Sequence, residues 1–315
     1  MSNSERPLFL SEEALERLCV TTVEAVSSIE KMIRGQAEGT VWSAPKSTLL
    51  PPDGRYMMTT LAAADDPPLL VVKSLVLNPK NSERDLPQIN GLITVLDSNT
   101  GLPKAVLDAN WITATRTAAL SAVAAQRLAR DDSRIAAFVG TGVQASSHLD
   151  AFADLYPLEE IRVFGRGRTN IEKLCRQAEA KGIKATIADT GQEAIADADL
   201  IVSSVTLSLT SEPFLSAKGT KKGCFAAITD IGTPWHKDSF TAFDCIVIDD
   251  VEQEASMRNK LAPPELIAGD LSSLVLEETP GRTSATERTA FMFRGHSLGD
   301  LALAALVYQK AVASN

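Results

Sequence analysis

The chain has 315 residues, enough for about two domains at the roughly 150 residues typical of one domain. Its hydrophobic fraction is 44% and its charged fraction is 23%, which is ordinary for a soluble globular protein. With 31 Lys and Arg against 40 Asp and Glu, the formal net charge is −9. This acidic composition argues against a general nucleic-acid or membrane-surface binder, but it leaves room for one local basic pocket.

The cysteines and histidines are too scattered to suggest a metal site. Cys19, Cys175, Cys224 and Cys245 contain no CxxC pair, and the three histidines are equally dispersed. We expect no structural metal, and we interpret the cysteines as reduced thiols buried as small hydrophobic residues. The N-terminus lacks the apolar core of a signal peptide, and no apolar run reaches the ~18 residues of a membrane span. The sequence therefore predicts a soluble, cytoplasmic protein.

The first third of the chain predicts a helix followed by a sheet. From Ser11 to about Gly35, apolar residues recur at helical spacing after Ser11-Glu12-Glu13, which is typical of one amphipathic helix. Residues 40–107 are short apolar runs separated by turn segments such as PPDG, DDPP and SNTG. This pattern predicts a largely antiparallel sheet with hairpin connections.

The rest of the chain alternates between helices and strands. An Ala-rich helix over 111–130 precedes predicted strands at 135–139, 161–164, 185–188, 199–205, 224–232 and 245–250, with helices between several of them. Such alternation indicates βαβ units and a doubly wound, mostly parallel sheet. The last predicted helix, 300–313, is apolar on several sides, and we expect it to return to the first domain.

A glycine motif follows the first of these strands. The run from Gly140 through Gly142 to Ala145 is GxGxxA, placed directly after a buried strand and at the start of a helix. Gly140 permits a tight turn, Gly142 lets the backbone approach a pyrophosphate, and Ala145 lets the helix pack close to the strand. The position predicts a dinucleotide site, while glycines that serve packing alone are the alternative.

The end of the next strand indicates which dinucleotide. An NAD site usually carries Asp or Glu there, for the ribose 2′-hydroxyl. This chain instead has Arg166, Arg168, Thr169 and Asn170, which suit a 2′-phosphate. We predict that NADPH is preferred and that NADH is possible; the alternative is that the arginines are solvated surface charges.

Two basic residues stand in unusually apolar surroundings. Lys73 interrupts the run LLVVKSLVL, and Arg116 lies on an otherwise uncharged helical face in TATRTAAL. A hydride-transfer site for a small acid needs a cation for the carboxylate and a group that handles a proton. Both residues are therefore candidates, against the alternatives of a solvent-facing Lys73 and an Arg116 in an ion pair between domains.

Several segments together resemble one known family. VVKSLVLNPKN, LPQINGLITVLDSNTGLPKAVLDANWITATRTAALSAVAA, FVGTGVQASSHLDAF and TAFMFRGHSLGDLALAALV are similar, in one order, to the ornithine cyclodeaminase/mu-crystallin family. The resemblance implies an α/β fold with a Rossmann dinucleotide-binding domain over 116–299. An α+β substrate-binding and dimerisation domain would comprise 1–115 and 300–315. It also implies a homodimer joined through the N-terminal sheets and an NAD(P)-linked reaction on a small amino or imino acid.

The resemblance assigns roles to residues that match the family motifs. Arg116 matches the substrate-carboxylate arginine, Lys73 the active-site lysine, and Lys46 an early basic residue. The matching cofactor contacts are Gly140, Gly142, Val143, Gln144, Ser204, Val205, Thr206, Ile231 and Gly232. Phe293, Gly295 and Asp300 match the segment FxFxGxxxxD.

One departure from the family pattern bears on the reaction. Where cyclodeaminases of the family carry an aspartate two residues after the glycine, this chain has Pro234, which is neither acid nor base. Asp230, His296 and His236 are the substitute candidates, with Asp230 and His296 included beside Lys73 and Arg116 as catalytic residues. The missing aspartate counts against cyclodeamination, whereas ketimine reduction needs only a proton for the imine nitrogen and a hydride.

The sequence therefore predicts an NAD(P)H-dependent oxidoreductase acting on C=N bonds. It would reduce a small, cyclic α-imino acid such as pyrroline- or piperideine-2-carboxylate, or act as an amino-acid dehydrogenase. Two alternatives stay open. The first is a lyase of the cyclodeaminase or hydroxyproline-dehydratase kind, and the second is a non-catalytic, crystallin-like protein that only binds NADPH. We expect no nucleic-acid or membrane partner.

Overall fold

The computed structural model describes residues 6–206 and 212–314. They group into two compact units, one formed by the residues up to Arg116 with those from Ser297 onward, the other by Thr117–His296. We call these the terminal unit and the central unit. The divisions lie within a few residues of those expected after residues 115 and 299.

Before residue 109 most of the elements are strands that follow one another, whereas after it helices and strands mostly alternate. In chain order the strands are β1 (Leu8–Leu10), β2 (Val41–Leu49), β3 (Tyr56–Asp65), β4 (Pro68–Leu77), β5 (Ile89–Asp97), β6 (Pro103–Asp108), β7 (Ile135–Val139), β8 (Glu160–Phe164), β9 (Lys184–Ile187), β10 (Leu200–Ser203), β11 (Phe225–Ile228), β12 (Cys245–Ile248), β13 (Ile267–Asp270) and β14 (Thr289–Met292). The helices are α1 (Glu12–Glu16), α2 (Thr22–Ala37), α3 (Ala109–Leu128), α4 (Val143–Leu155), α5 (Arg168–Ala180), α6 (Gly191–Ala196), α7 (Val251–Ser256), α8 (Leu271–Val275) and α9 (Ser297–Ala313).

The terminal unit is built on a six-stranded sheet in the order β1-β6-β5-β4-β3-β2. Strands β2 to β6 pair antiparallel with their sequence neighbours, which confirms the predicted sheet over 40–107. β1, which the sequence did not suggest, joins β6 in parallel. Helices α2 and α9 pack together, and α9 also contacts β2, β3 and β4. The last helix therefore belongs to the same unit as the first strands.

The two faces of this sheet differ in burial. Successive side chains of a strand point to opposite faces, and Thr60, Lys73 and Ile93 pair in register across β3, β4 and β5, all buried. On the other face, Leu61 and Leu92 are 41% and 48% exposed. The inner face is thus covered, while the outer face presents apolar side chains to solvent.

The predicted single helix over 11–35 is wrong, because the chain forms α1 and α2 there. Ser11 caps α1 as expected, accepting from the backbone N–H of Ala14. The helix then stops, and Cys19 adopts a positive φ of 47°. Thr21 starts α2 through a reciprocal capping box with Glu24. A second helix N-cap, inside the periodic apolar pattern, therefore divides the predicted helix into two.

The central unit contains an eight-stranded, fully parallel sheet in the order β13-β12-β14-β11-β10-β7-β8-β9. The chain enters at β7, winds outward to β8 and β9, and returns to β10 on the other side of β7. This is the doubly wound arrangement of a Rossmann-like fold, with its switch point between β7 and β10. β7 matches its predicted range residue for residue, whereas β13, β14, α7 and α8 were not predicted.

The end of β11, the burial of the cysteines and the apolar character of the helices also bear on the sequence predictions. The predicted strand over 224–232 ends at Ile228, because Ile231 and Gly232 turn with φ of 53° and 71°. All four cysteines are free thiols, but only Cys224 is buried; Cys19 is exposed and the other two are half-buried, so uniform burial was wrong. No helix in the described part of the chain has both the length and the apolar character needed to cross a membrane.

Candidate active site

A buried cluster of charges lies in the terminal unit, on the inner face of its sheet. Asp300, in the first turn of α9, receives the ammonium of Lys73 at 2.6 Å and the hydroxyl of Thr60 at 3.0 Å. The Nε atom of Arg116 lies 3.2 Å from the same carboxylate. The side chains of Lys73, Arg116 and Asp300 are 0%, 8% and 2% exposed. The structure therefore brings together the two basic residues that the sequence singled out.

Strand alternation explains why Lys73 is buried. It occupies a core position of β4 between Val71 and Leu75, while Ser74 beside it is exposed. An ammonium at such a position needs a charged or strongly hydrogen-bonding partner, because burial of an unpaired charge is costly. Asp300 provides that partner. The alternative of a solvent-facing Lys73 is wrong, and the ion pair of Arg116 lies within one unit and does not bridge two.

The cluster keeps an excess of positive charge. Burial alone would raise the pKa of Asp300, but Lys73 and Arg116 outweigh it and hold this pKa below its ordinary value. Burial lowers the pKa of Lys73 to about 8; Asp300 opposes this shift, and Arg116 adds to it. At neutral pH two cations thus face one carboxylate.

The guanidinium of Arg116 has unused hydrogen-bonding capacity. Its Nη1 atom is buried and makes no hydrogen bond with the described residues, whereas its buried Nε atom faces the carboxylate of Asp300 at 3.2 Å. Arginine presents its donors in a planar fork that matches a carboxylate. The arrangement can therefore bind a small carboxylate, which would also compensate the extra positive charge.

Lys46 belongs to the same unit but is less buried. It lies on β2, half-buried, and its charge contributes to lowering the pKa of Lys73. This places a third cation in the electrostatic environment of the cluster.

The central unit carries the predicted glycine turn between β7 and α4. Gly140 has a φ of 98°, and a Cβ there would lie 2.5 Å from the carbonyl oxygen of Ser204. Gly142 is the N-cap of α4 and offers no side-chain cap, so the first N–H groups of α4 lack one. Val143, in that first turn, is 68% exposed. A helix N-terminus of this kind suits a phosphate group.

Buried polar atoms without partners lie next to this turn. The Oε1 atom of Gln144 and the Oγ atom of Ser204 are buried and make no hydrogen bond with the described residues. Val205 is half-buried and Thr206 is exposed at the end of β10. The glycine turn, the uncapped helix and the two unsatisfied polar atoms all fit a bound dinucleotide.

The basic segment after β8 is exposed. Arg166, Thr169 and Asn170 face solvent, and Arg168 pairs with Glu172 at 2.8 Å. Gly165 packs against the glycine turn so closely that a Cβ there would lie 2.8 Å from the Oγ1 atom of Thr141. An acidic side chain at this position would therefore displace Thr141.

The candidate acids and bases of the central unit differ in their surroundings. Asp230 is 2% exposed and accepts hydrogen bonds from Ser203 at the end of β10 and from Gly232 in the turn after β11. The Nε2 atom of His296 lies 3.4 Å from the carboxylate of Asp250. His236 is exposed. His148, expected to be structural or exposed, is buried, with its ring nitrogens 2.7 Å from the carbonyl of Gln144 and 2.9 Å from the hydroxyl of Ser121.

Sequence reasoning missed two members of the charged cluster. Asp300 was matched to a family segment but was not proposed as a site residue, and Thr60 was not considered. A signal for Asp300 was available, because it is an acid within the apolar run LGDLALAALV. A buried acid implies a buried base, and Lys73 is the lysine in a comparably apolar run. Thr60 carried no such signal.

The fold and these sites define a two-unit α/β protein with a Rossmann-like dinucleotide fold and a buried cationic cluster. A family model described as the ornithine cyclodeaminase/mu-crystallin family matches residues 5–315. The chain therefore belongs to this family.

Known relatives match over much of the chain. The alanine dehydrogenase of Archaeoglobus fulgidus is 26% identical over 98% of this chain and 96% of its own length. The ketimine reductase mu-crystallin of Mus musculus is 28% identical over 76% of this chain and 75% of its own.

Solved structures share the fold. The Δ1-pyrroline-2-carboxylate reductase of Thermococcus litoralis, in complex with NADH and L-proline, superposes with a TM-score of 0.87 at 24% identity, covering 98% of both chains. An archaeal alanine dehydrogenase dimer with bound NAD gives a TM-score of 0.87 at 25% identity, covering 98% of this chain and 97% of that chain.

Proposed function

We propose that the protein is an NAD(P)H-dependent reductase that converts a small, cyclic α-imino acid, such as pyrroline- or piperideine-2-carboxylate, into the amino acid. The observation that carries the proposal is the buried cluster in which Lys73 and Arg116 face one carboxylate, that of Asp300. The cluster has two positive charges and one negative charge, so a bound carboxylate would neutralise it. The ketimine reductase activity in the name of the Mus musculus relative supports the same substrate class.

Arg116 binds the substrate carboxylate in this proposal. Its buried Nη1 atom makes no hydrogen bond with the described residues and is available as a donor to the acid, while its Nε atom stays 3.2 Å from the carboxylate of Asp300. Lys46 adds a favourable charge from β2. Asp300 holds Lys73 and Arg116 in place without contacting the substrate, since both of its oxygens already accept from protein groups.

Lys73 is the proposed proton donor to the imine nitrogen. Its lowered pKa of about 8 keeps the ammonium charged at neutral pH and makes its proton easier to release than that of an ordinary lysine. Asp300, 2.6 Å away, stabilises the charged form until transfer. His296, oriented by Asp250, is the second candidate for handling a proton.

The proposed dinucleotide site is the turn at Gly140 and Gly142. The first N–H groups of α4 would bind the pyrophosphate, and the unsatisfied polar atoms of Gln144 and Ser204 would gain partners. Val143, Val205, Thr206, Ile231 and Gly232 complete the set proposed from the family motifs. When bound, the reduced nicotinamide supplies the hydride.

We also propose that NADPH is preferred over NADH. The segment after β8 carries no acid that could bind a ribose 2′-hydroxyl, and a side chain at position 165 would have to displace Thr141. Arg166 and Asn170 are exposed beside it and can reach a 2′-phosphate. Arg168 contributes less charge, because Glu172 already pairs with it.

The outer face of the terminal sheet is the proposed dimer interface. Its exposed apolar side chains, including Trp42, Leu61 and Leu92, would be covered by the same face of a second copy. Sedimentation analysis is expected to give a dimer that Leu61→Glu converts into a monomer. A wild-type monomer at micromolar concentration would contradict the proposal.

A spectrophotometric NADPH-oxidation screen over cyclic imines, and over keto acids with amines, tests the function. We expect turnover of a cyclic α-imino acid, and a loss of kcat/KM by at least ~10³-fold in Lys73→Ala and Arg116→Ala, because each removes a group that contacts the substrate. Lys31→Ala is the matched control, since its ammonium pairs with Asp66 at the surface. Near-normal turnover in either active-site variant would overturn the assignment.

Two other results would point to other functions. Release of ammonia or water without a net change in cofactor absorbance would identify a lyase, which Pro234 in the family's aspartate position disfavours. Tight binding of NADPH with no consumption across the whole panel would identify a protein that only binds the cofactor.

A further inference from the structure

Asp230 connects the ends of two neighbouring strands of the central sheet. Its Oδ2 atom accepts from the hydroxyl of Ser203 at 2.5 Å and from the backbone N–H of Val205 at 3.1 Å. Its Oδ1 atom accepts from the backbone N–H of Gly232 at 3.3 Å. One buried carboxylate thus holds both the segment that follows β10 and the turn that follows β11.

The backbone of both segments, the one after β10 and the turn after β11, is conformationally constrained. The peptide of Ser204 lies against the glycine turn, where a Cβ on Gly140 would come within 2.5 Å of its carbonyl oxygen. Ile231 adopts a φ of 53°, which a β-branched residue rarely does. Asp230 fixes this turn from both sides, because its own carbonyl oxygen accepts from the N–H and the hydroxyl of Thr233.

The position of these segments relates them to the dinucleotide. In doubly wound sheets a ligand binds beyond the carboxyl ends of the strands at the switch point, which here lies between β7 and β10. The segment after β10 therefore borders the glycine turn that the proposed cofactor would occupy. A displacement of Ser204 or Val205 would change the wall of that site.

The carboxylate of Asp230 is arranged for holding rather than for proton transfer. Each oxygen is directed to donors of the protein, and Ser203 in turn accepts from the indole Nε1 of Trp235 at 3.0 Å. Burial raises the pKa of Asp230 to about 6, and these hydrogen bonds oppose the shift. The group is therefore an anion at neutral pH that stabilises backbone N–H groups.

We propose that Asp230 is a positioning residue for the dinucleotide, holding Ser204–Val205 and Ile231–Gly232 in their binding conformation, and that it does not transfer a proton to the substrate. The proposal rests on the proposed function only in taking the glycine turn as a dinucleotide site. It replaces the catalytic role that sequence reasoning gave to Asp230.

The variant Asp230→Asn tests this directly. Asparagine keeps the size of the side chain, but its NH2 group is a donor and would face one of the donors from which the Asp230 carboxylate accepts a hydrogen bond. We expect the Kd for NADPH, titrated by nicotinamide fluorescence without any substrate, to rise about tenfold. We expect kcat at saturating NADPH to fall by less than about threefold. Removal of a general acid would instead lower kcat by about 10²–10⁴-fold.

The matched control is Asp238→Asn. Asp238 lies in the same part of the chain, and its carboxylate is 78% exposed and pairs with Lys218 at 3.5 Å. We expect no change in Kd or kcat for this variant. A residue that only stabilises the fold would change the melting temperature without separating Kd from kcat, so the separation distinguishes positioning from general stability.

A second variant covers the case in which Asp230→Asn fails to fold. Ser203→Ala removes one donor to Asp230 and leaves the charge in place, so we expect the Kd to rise about threefold with kcat unchanged. A fall of kcat by about 10²-fold or more in Asp230→Asn overturns the proposal, and so does an unchanged Kd in either folded variant. The titration needs no turnover and stays decisive even if imine reduction is not the reaction.

Discussion

The charged cluster of the terminal unit and two buried residues of the central unit, Asp230 and His148, have their ionisable groups compensated differently. In the terminal unit, Lys73, Arg116 and Asp300 compensate one another as charges, with one positive charge in excess. In the central unit, Asp230 and His148 are surrounded by uncharged donors and acceptors.

This difference indicates how each unit contributes to the proposed reaction. A buried excess of charge attracts an anion strongly, because the interior screens it poorly. Buried dipoles, in contrast, fix the backbone without attracting an ion. The terminal unit is therefore suited to bind the acid, and the central unit is suited to shape a site for a long cofactor through its backbone.

Removal of the carboxylate shared by Lys73 and Arg116 is expected to have the largest effect on the terminal unit. Asp300→Asn would leave Lys73 and Arg116 buried without an anionic partner. We expect the free energy of unfolding, measured by urea denaturation, to fall by about 3–5 kcal/mol.

The control is Asp66→Asn, which removes an exposed partner of Lys31 in the same unit. A surface pair of this kind contributes at most about 1 kcal/mol. If Asp300→Asn were no more destabilising than this control, the cluster would not depend on charge compensation.

His148 provides the corresponding test in the central unit. Burial lowers its pKa to about 4, so between pH 6.5 and 4 the unfolded chain binds a proton that the folded chain does not. Stability is therefore lost as the pH falls through this window, by about 3 kcal/mol in total. His148→Gln should lose less stability than wild type between pH 7 and 4, whereas the exposed His236→Gln should behave like wild type. Identical acid slopes in wild type and His148→Gln would show that His148 is not held neutral.

The sequence predicted the central unit better than the terminal site. Residues 135–139 carry their own strand signal, and the glycines after them specify the turn, so local pattern and tertiary structure agree. The charged cluster instead depends on residues 227 positions apart, Lys73 and Asp300. Nothing in the sequence near Thr60 indicates that α9 will place a carboxylate beside it.

Other differences have local physical causes that periodicity does not reveal. The helix predicted over 11–35 divides because Thr21 and Glu24 form a cap inside an apolar repeat. The sequence offered Asp230, two residues before the glycine of TDIG, as one candidate catalytic acid. Its actual partners, Ser203 and Val205, come from the neighbouring strand, and pairing between strands is not visible in a single sequence.

The pH dependence of activity tests whether Lys73 of the terminal unit donates the proton. If Lys73 donates the proton, the reductive reaction needs its ammonium form. Because the pKa of Lys73 is about 8, kcat/KM should fall about tenfold for each pH unit above that value. Lys73→Arg should lower kcat/KM strongly, because arginine does not release its proton, and the residual activity should lack this decline. A wild-type profile that stays flat to pH 10 would exclude Lys73 as the donor.

The smallest expected effect concerns the exposed rim of the central unit. Arg166→Ala should raise the KM for NADPH about tenfold and leave the KM for NADH unchanged, because only NADPH carries the 2′-phosphate. Arg168→Ala should have a smaller effect, since Glu172 pairs with Arg168. Arg176→Ala, exposed on the same helix, is the control. Equal changes for both cofactors would place Arg166 outside the phosphate site.

In the proposed reaction, Arg116 recognises the carboxylate of the substrate. The direct measurement compares kcat/KM for pyrroline-2-carboxylate and for 1-pyrroline, which lacks the carboxylate, in wild type and in Arg116→Ala. We predict that wild type prefers the acid by at least about 10³-fold and that the variant reduces this preference to about tenfold or less. A preference that survives in Arg116→Ala would show that Arg116 does not recognise the carboxylate.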